Sequence, residues 1–477
     1  MKNKKLSLAV LVLGSMLAQG AWAADAVQLS IDEAIVRAFQ TNPDVKIAGY
    51  QLDKGRAGMN AAREKCGLSV SVDHNTSRGG YRDTWDASHK YRGPGNSHSN
   101  KIGASVPLFT GGANSGNIMA AEAGYRSALA GKQKAYNDMY YNVTAAYYDC
   151  LLTKDLERVA QESVKTLSEH LRHVQDSYDV GVVAKIDVLR SEVEMADAEQ
   201  NLIKAENTRK LAVHTLNKMI GLPLETELNL TDTLQFEAYD KGLAYCLDFA
   251  QTNRPELEQA RQGVKSARGG LRVAKSGHMP KISGQIFQSW GGNGKDWPGD
   301  DDPNWGAGVN VSWNVFDSGA TLSNIHAAEA DKKIALEKLR DSEDSVLLDV
   351  RNTYYTMNEA ERRIQTTKAV VSKAEEDYAI AKLCYENGVG TNTDVLDAQV
   401  ALTQAKTNYI QACYDFSTAK IALDNAIGVP YKSPLDKKSV VSVQPTKSEQ
   451  EKLAAEKTAA KAAKKAAKNL KKAAQAD

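Results

Sequence analysis

The most constraining feature of the sequence is a long internal repeat, in which residues 107–223 recur as residues 314–430. The offset is 207 positions throughout and needs no gap. A Phe-x-x-Gly motif at residues 109–112 returns at 316–319, and both copies close with Ile-Gly-x-Pro. The unit is far longer than a solenoid repeat and occurs twice, so the sequence predicts two pseudo-symmetric halves.

The composition and the first residues limit the class of protein. The chain of 477 residues has only 7% aromatic residues, and its many Ala, Glu, Lys, Gln and Leu residues are typical of long helices. Residues 1–23 have the pattern of a secretory signal peptide, with three lysines, an apolar run and an Ala-Trp-Ala motif. The rest of the chain has no apolar run of about 18 residues, so we expect no transmembrane helix. The formal net charge of +1 does not indicate nucleic-acid binding.

Four segments alternate apolar and polar residues with a period of two, which predicts β-strands. They are about residues 68–77 and 100–109 in the first half, and about 281–290 and 305–315 in the second. Each has roughly the ten residues that a tilted membrane strand needs, although a soluble antiparallel sheet with one wet face is the alternative. The smallest membrane barrels have about eight strands, and an open sheet edge cannot face lipid. If these strands lie in a membrane, several chains must therefore share one barrel.

Long helices follow the strands in both halves. Residues 113–180 and 320–385 space their apolar residues alternately three and four apart, which is the periodicity of a coiled coil. At about 1.5 Å per residue, each helix would be roughly 100 Å long. A shorter helix returns over residues 186–220 in the first half and 393–427 in the second. We therefore expect each long helix to be flanked by shorter ones.

Glycines mark the turns between the long and the returning helices. Gly181 ends the long helix of the first half, and Gly388 and Gly390 follow the long helix of the second. We expect Gly181 and Gly388 to adopt positive φ, because helices commonly end in a left-handed glycine.

The chain divides into a signal peptide, two repeats and a tail. The predicted boundaries are 1–23 for the signal peptide, 24–223 for the first repeat, 224–240 for a linker, 241–431 for the second repeat and 432–477 for the tail. The tail is rich in Lys and Ala and has no aromatic residue, which is typical of a solubilising segment. Binding to the cell wall or to anionic lipid is the alternative.

Taken together, these features resemble the TolC family of outer-membrane efflux proteins. The resemblance covers about residues 28–431, and its most specific motifs are Leu-Ser-Ile-Asp-Glu-Ala at 29–34, the two Phe-x-x-Gly joints, and the hairpins at 181–189 and 388–396. It implies a mainly α protein with a membrane β-barrel, located in the outer membrane with a long periplasmic extension. In a homotrimer, long antiparallel coiled-coil helices would form an α-barrel, and four strands per chain would form a shared 12-stranded β-barrel.

The resemblance also implies a function and partners. The protein would be a passive exit duct for proteins or small toxic molecules, in contact with outer-membrane lipid. A periplasmic adaptor would couple it to an inner-membrane transporter of ABC or RND type. The sequence has no HExxH, Gly-x-Ser-x-Gly or P-loop motif, so we expect no enzyme, cofactor or metal site. Two alternatives stay open: a non-conducting periplasmic coiled-coil scaffold or envelope structural protein, and a metal-efflux specialist.

The family closes its periplasmic aperture with a ring of aspartates. Its Asp-Val-Leu-Asp motif matches residues 394–397, so the resemblance assigns Asp394 and Asp397 to the ring. Carboxylates that face one another repel, and a ring of acids favours cations in a pore. The alternative for Asp187 and Asp394 is that they only cap the returning helices.

Polar links between helix pairs hold the family's aperture shut. The linking tyrosine matches Tyr385, and the aspartate that faces it matches Asp187. The linking arginine is missing, because Gly390 stands at that position. Lys185, in the hairpin of the first half, is a candidate to replace it. The resemblance thus predicts a retained ring with an altered lock.

Overall fold

The structure is a computed structural model that describes residues 27–79, 95–233, 239–293 and 301–431. The predicted signal peptide and the Lys/Ala-rich tail lie outside the described residues. Helices make up most of the described chain. Among them, none combines the length and the apolar character that crossing a bilayer requires.

The first half contains short helices, one short and two long strands, and a helical hairpin. Its elements are β1 (Val27–Leu29), α1 (Ile31–Thr41), α2 (Pro43–Glu64), β2 (Ser69–Gly79), β3 (Gly95–Phe109), α3 (Ala113–Asp179) and α4 (Lys185–Ile220).

The second half repeats this order. Its elements are β4 (Leu228–Leu230), α5 (Leu243–Asn253), α6 (Pro255–Lys275), a 3₁₀ turn (Ser276–His278), β5 (Lys281–Asn293), β6 (Asp301–Ser312), α7 (Ala320–Glu386) and α8 (Asn392–Ala426).

Several bounds differ from the sequence-based expectation. The strand β3 begins at Gly95 rather than near residue 100, and β6 begins at Asp301 rather than near residue 305. The predicted linker contains β4, which pairs in parallel with β1. The last strand ends at Ser312 rather than at residue 315. There the chain turns towards the helices, and the indole N–H of Trp313 donates to the carbonyl oxygen of His278 (3.1 Å).

Local signals set the start of the first helices. Ser30 and Glu33 form a reciprocal capping box at the start of α1, in which each side chain accepts a hydrogen bond from the other's backbone N–H. Asn42 ends α1 and caps α2, and Pro43 occupies the first position of α2, where its missing N–H costs nothing.

The long helices organise the rest of the fold. The helices α3 and α7 have 67 residues each, which corresponds to about 100 Å. In the first half, α2 and α4 pack along α3; in the second, α5 and α8 pack along α7. The helix α6 packs on both α3 and α7 and so joins the halves. The helical layer therefore has the order α2–α3–α6–α7.

The helices α3 and α6 approach until their backbones touch. A Cβ atom at Gly116 would lie 2.6 Å from the carbonyl oxygen of Gly269, and a Cβ at Gly269 would lie 2.6 Å from that of Gly116. Only glycine fits at such a crossing. The contact fixes α6 against the start of α3, directly beside the sheet.

Each half has its own hydrophobic core near the middle of the long helix. In the first core, Tyr147 is fully buried. Its hydroxyl donates to the carboxylate of Asp232 (2.7 Å) and lies 2.9 Å from the carbonyl oxygen of Leu29. The same carboxylate accepts the backbone N–H of Ile31 (2.9 Å). These bonds fasten β1 and the segment between the halves to α3.

The four long strands form one antiparallel sheet with the order β2-β3-β5-β6. The strands β2 and β6 are its edges, and neither edge is paired within the described chain. One face carries large apolar side chains that are exposed in the single chain: Val70, Val72, Ile102, Ile286, Trp305, Val309 and Val311. The other face carries mainly Ser, Asn, Gly and Gln residues, and there the ammonium of Lys101 lies 4.6 Å from the ring centre of Phe287. We call the apolar side the outer face. It has the pattern of a sheet that meets lipid.

Candidate functional site

The candidate site is the end of the helices farthest from the sheet, which we call the tip and define as residues 170–198 and 377–405. Both hairpins turn at a left-handed glycine, with φ of 80° at Gly181 and 74° at Gly388. This confirms the conformation expected for the two residues. In each turn a backbone N–H after the glycine donates back to a carbonyl oxygen of the last helical turn.

The position of the missing arginine is filled by a close backbone contact. The N–H of Gly390 donates to the carbonyl oxygen of Cys384 (3.1 Å), and a Cβ at Gly390 would lie 3.0 Å from the Cβ of Cys384. Lys185 is exposed at the first position of α4, and its role as a substitute stays a prediction. The guanidinium that reaches the other hairpin is that of Arg190, which donates to the hydroxyl of Thr393 (2.8 Å).

The two aspartates that begin the returning helices differ. Asp394 forms a capping box with Thr391: the hydroxyl of Thr391 accepts the N–H of Asp394 (3.2 Å), and the Asp394 carboxylate accepts the N–H of Thr391 (2.9 Å). These bonds hold the pKa of Asp394 below its usual range. Asp394 therefore takes part in the cap of α8, and whether capping is its only role stays open. Capping is wrong for Asp187, because α4 is preceded by Ala184 and has no side-chain cap.

Asp397 lies one turn further along α8, where its carboxylate is exposed. It borders a groove of about 450 Å³ between α4 and α8, together with Arg190 and Glu194. Asp394 and Asp397 therefore present two carboxylates at the surface of the tip. Their assignment to an aperture ring stays a prediction, since the ring requires neighbouring chains.

A buried polar network joins α8 to α3 and α4. The amide oxygen of Asn392 accepts from the imidazole Nε2 of His170 (2.7 Å), and its amide nitrogen donates to the backbone carbonyl of Asp187 (3.0 Å) and to the hydroxyl of Ser191 (3.2 Å). Asn392, His170 and Ser191 are all buried. The hydroxyl of Ser191 donates to the Asp187 carbonyl as well (2.9 Å). The first residue of α8 is thus bonded to both helices of the other hairpin.

Tyr385 borders this network. Its ring centre lies 5.4 Å from that of His170. Its hydroxyl is buried and has no hydrogen-bond partner within the ranges that the structure describes. Burial, and then the negative charge of Asp187, raise the pKa of Tyr385. Tyr385 and Asp187 therefore lie close enough to interact electrostatically. The Tyr385 hydroxyl does not donate a hydrogen bond to Asp187.

Burial also makes His170 harder to protonate. Desolvation lowers the pKa of His170, the neighbouring His173 and Lys382 side chains lower it further, and the hydrogen bond to Asn392 opposes the shift. The imidazole is therefore neutral near pH 7, and its Nε2 proton is used in the bond to Asn392.

Sequence reasoning missed the residues of this network. They occupy positions at which the two halves differ, and the 207-residue offset pairs them with unlike residues: Asn392 with Lys185, His170 with Asp377, and Ser191 with Ala398. Most positions of the two halves differ in the same way, so the repeat contains no signal that could have identified them. In the part of the chain with described coordinates, no cluster of three or more His, Cys, Asp or Glu side chains could hold a metal ion.

Comparison with known proteins bears on the whole chain. The family model described as "Outer membrane efflux protein" matches residues 34–222 and 246–429. "Outer membrane protein TolC" of Escherichia coli is 24% identical over 430 aligned residues, which cover 84% of this chain and 83% of that protein. "Alkaline protease secretion protein AprF" of Pseudomonas aeruginosa is 23% identical over 309 residues, or 63% of each protein.

Solved structures show the same fold. The CmeC outer membrane channel of Campylobacter jejuni superposes with a TM-score of 0.76 at 14% identity, covering 85% of this chain and 86% of that one. The expected fold class, mainly α with strands for a membrane β-barrel, is confirmed, as is the outer-membrane location. The family model spans both halves and leaves out only the ends and the segment between them. The chain belongs to the outer membrane efflux protein family.

Proposed function

We propose that the protein is a passive, homotrimeric exit duct of the outer membrane. An inner-membrane transporter of ABC or RND type would deliver proteins or small toxic molecules to it, and a periplasmic adaptor would join the two. The observation that carries the proposal is the four-stranded sheet, which has an apolar outer face and two unpaired edges.

The unpaired edges argue for association of several chains. The edge strand β2 has 11 residues, and an antiparallel edge leaves about half of its backbone groups without a partner. Each unsatisfied group costs several kcal/mol in lipid. A lone sheet would therefore lose tens of kcal/mol at its two edges, whereas pairing β2 of one chain with β6 of the next satisfies both.

The need for a lumen requires more than two chains, and the resemblance to the family implies three. Two chains would close eight strands, and a barrel of about that size is filled by its own side chains. Three chains, with four strands each, close a wider barrel. Its interior would be lined by the polar face of the sheet, which suits water-filled passage.

In the trimer, the tip is the proposed gate. Asp394 and Asp397 of three chains would face the axis and repel one another as the tip closes. The bonds of Asn392 to His170 and Asp187 oppose this repulsion, because they hold the hairpin of the second half against that of the first. A closed tip therefore balances carboxylate repulsion against the buried network.

The proposed cargo and partners rest on the name of one relative and on the motifs of this sequence. The name of the relative AprF refers to secretion of a protease, which supports export of proteins as one cargo class. The sequence carries no nucleotide-binding motif, so we expect the energy for transport to come from another protein.

Planar-bilayer recording tests the proposal. Purified protein should form discrete channels that prefer cations and are blocked by divalent or trivalent cations. The alternative, a non-conducting periplasmic scaffold, predicts no conductance. Protein that is trimeric and stably inserted in the bilayer, yet silent, would contradict the duct.

A further inference from the structure

A basic cavity of about 630 Å³ lies where the sheet meets the helices. The end of β3, the start of α3 and the end of α6 form its walls. Three cationic side chains line it, Arg268, Arg272 and Lys275, together with the apolar side chains of Phe109 and Met279. The helical tip is at the other end of the molecule, so this cavity is separate from the candidate gate.

The three cations share one face of α6 and are not neutralised by the chain. Their spacing of four and three residues places them on one side of a helix, and all three are exposed. Among the described residues, no carboxylate lies within 4.0 Å of any of them. Arg272 has one long hydrogen bond, to the hydroxyl of Ser115 (3.5 Å). The cavity thus holds three positive charges that lack an anionic partner in the part of the chain that the structure describes.

The apolar wall of the cavity continues the outer face of the sheet. Phe109 is paired with Ile282, which is paired in turn with Val311. The three residues form one row on the outer face, at its last position before the helices. Phe109 is 44% exposed and Met279 is 51% exposed. The cavity therefore opens on the side of the sheet that meets lipid.

A neighbouring copy of the chain does not account for the cavity. The sheet has the order β2-β3-β5-β6 and the helical layer has the order α2–α3–α6–α7. Copies would meet at the edges, through β2, β6, α2 and α7. The cavity lies between β3, α3 and α6, in the middle of one chain, where the outer face is left to the membrane.

We propose that this cavity binds the headgroup phosphate of an anionic phospholipid in the periplasmic leaflet of the outer membrane. The long helices extend into the periplasm, so the end of the sheet beside them lies at that leaflet. Arginine forks suit phosphate oxygens, and basic residues beside a membrane segment recognise anionic headgroups. Phe109 and Met279 contact the first carbons of the acyl chains. The bound lipid ties α6 to the bilayer and sets the depth of the sheet.

Lipid selectivity of the reconstituted protein tests this assignment. The full chain is reconstituted in phosphatidylcholine vesicles with a trace of spin-labelled phosphatidylglycerol or spin-labelled phosphatidylcholine, and the motionally restricted fraction of each is measured. Wild type should prefer phosphatidylglycerol. In the variant Arg268→Gln/Arg272→Gln/Lys275→Gln, the affinity of the site for phosphatidylglycerol relative to phosphatidylcholine should fall on the order of a hundredfold. If the triple variant does not insert into vesicles, the single variant Arg272→Gln takes its place. It should show an intermediate loss of the preference for phosphatidylglycerol.

The matched control removes three charges elsewhere on the same layer. Lys333→Gln/Lys338→Gln/Arg340→Gln changes α7 at least about 20 Å from its start beside the sheet, and it should keep the preference. Equal loss in both variants, or no loss in either, would overturn the assignment. Inorganic phosphate in excess, compared with sodium chloride of equal ionic strength, should not release the labelled lipid. Release by phosphate would mean a site for a soluble anion instead.

Discussion

Replacing Asn392 with alanine tests whether the buried network holds the tip closed. The side chain bonds to the imidazole of His170, to the hydroxyl of Ser191 and to the carbonyl of Asp187, which belong to two different helices. Alanine removes all three bonds. Ser191 keeps a partner, because its hydroxyl also donates to the Asp187 carbonyl. The Nε2 proton of His170 is left buried without an acceptor.

The magnitude follows from these contacts. A buried donor left unsatisfied costs about 1–3 kcal/mol, and each further lost hydrogen bond costs about 0.5–1.5 kcal/mol. The closed tip should therefore lose about 2–6 kcal/mol per chain relative to a tip in which the hairpins have separated. Because about 1.4 kcal/mol corresponds to a tenfold change in an equilibrium constant, the separated state of each chain's two hairpins should gain about 30-fold to 20,000-fold in relative population.

Single-channel recording in planar bilayers measures this shift as the fraction of time spent in the high-conductance state. The control is Asn408→Ala on the same helix, because Asn408 is exposed and, among the described residues, its side chain bonds only to Gln404, one turn away. It should behave as wild type. A double-mutant cycle of Asn392→Ala with His170→Gln should show coupling between the two sites.

The reasoning is refuted if Asn392→Ala inserts as a stable oligomer and its open fraction equals that of wild type and of Asn408→Ala. The network would then contribute to folding without opposing the opening of the tip.

Further predictions concern charge, pH and packing. Asp397→Asn should weaken block by trivalent cations, because it removes one carboxylate per chain from the proposed ring; Asp397 is the cleaner position, since it takes no part in the cap at the start of α8. Burial lowers the pKa of His170 below its ordinary value of about 6.5, so an opened tip binds protons that the closed tip does not. The stability of the closed tip should fall as the pH drops below about 6.5, channels should open more often near pH 5, and His170→Gln should remove that dependence. Gly269→Ala should destabilise the chain by about 1–3 kcal/mol through overpacking, whereas Gly270→Ala, whose Cβ would meet nothing within 4 Å, should not. Tyr147→Phe should lower the thermal midpoint in detergent, at a cost of about 1–3 kcal/mol for the lost hydrogen bonds to the Leu29 carbonyl and the Asp232 carboxylate.

Each of these predictions has a result that would contradict it. Glu375→Gln, an exposed acid on α7, is the charge control for the block experiment, and equal weakening by both variants removes Asp397 from the ring. A pH response that survives in His170→Gln assigns the effect to other groups. Equal stability of the two glycine variants contradicts the close crossing of α3 and α6, and an unchanged midpoint for Tyr147→Phe contradicts its anchoring role.

Much of the fold could be predicted because its signals are local and repeated. The signals that define the helices each lie within one or two helical turns: the apolar spacing of α3 and α7, the Ser30–Glu33 cap and Pro43. The internal repeat presents most of the helices and strands twice. The long strands could also be predicted from a local signal. A sheet with one polar and one apolar face requires polar and apolar residues to alternate along each strand. The strands β1 and β4 were missed because three residues each are too few to show any period.

The site was less accessible from the sequence. The glycine turns follow from backbone geometry, and Asp394 and Asp397 could be placed from a motif. The bond between Asn392 and His170 joins residues 222 positions apart, and no pattern within either helix predicts it. It depends on how the two hairpins pack, which only the folded chain shows.

The oligomeric state in a mild detergent is the most direct test of the account, because every part of it requires chains that share one barrel. Native mass spectrometry and electron microscopy of protein extracted from outer membranes should give three chains and a three-fold ring with a central opening. A monomeric particle without such a ring, still carrying the folded helices, would contradict the shared barrel and with it the proposed duct.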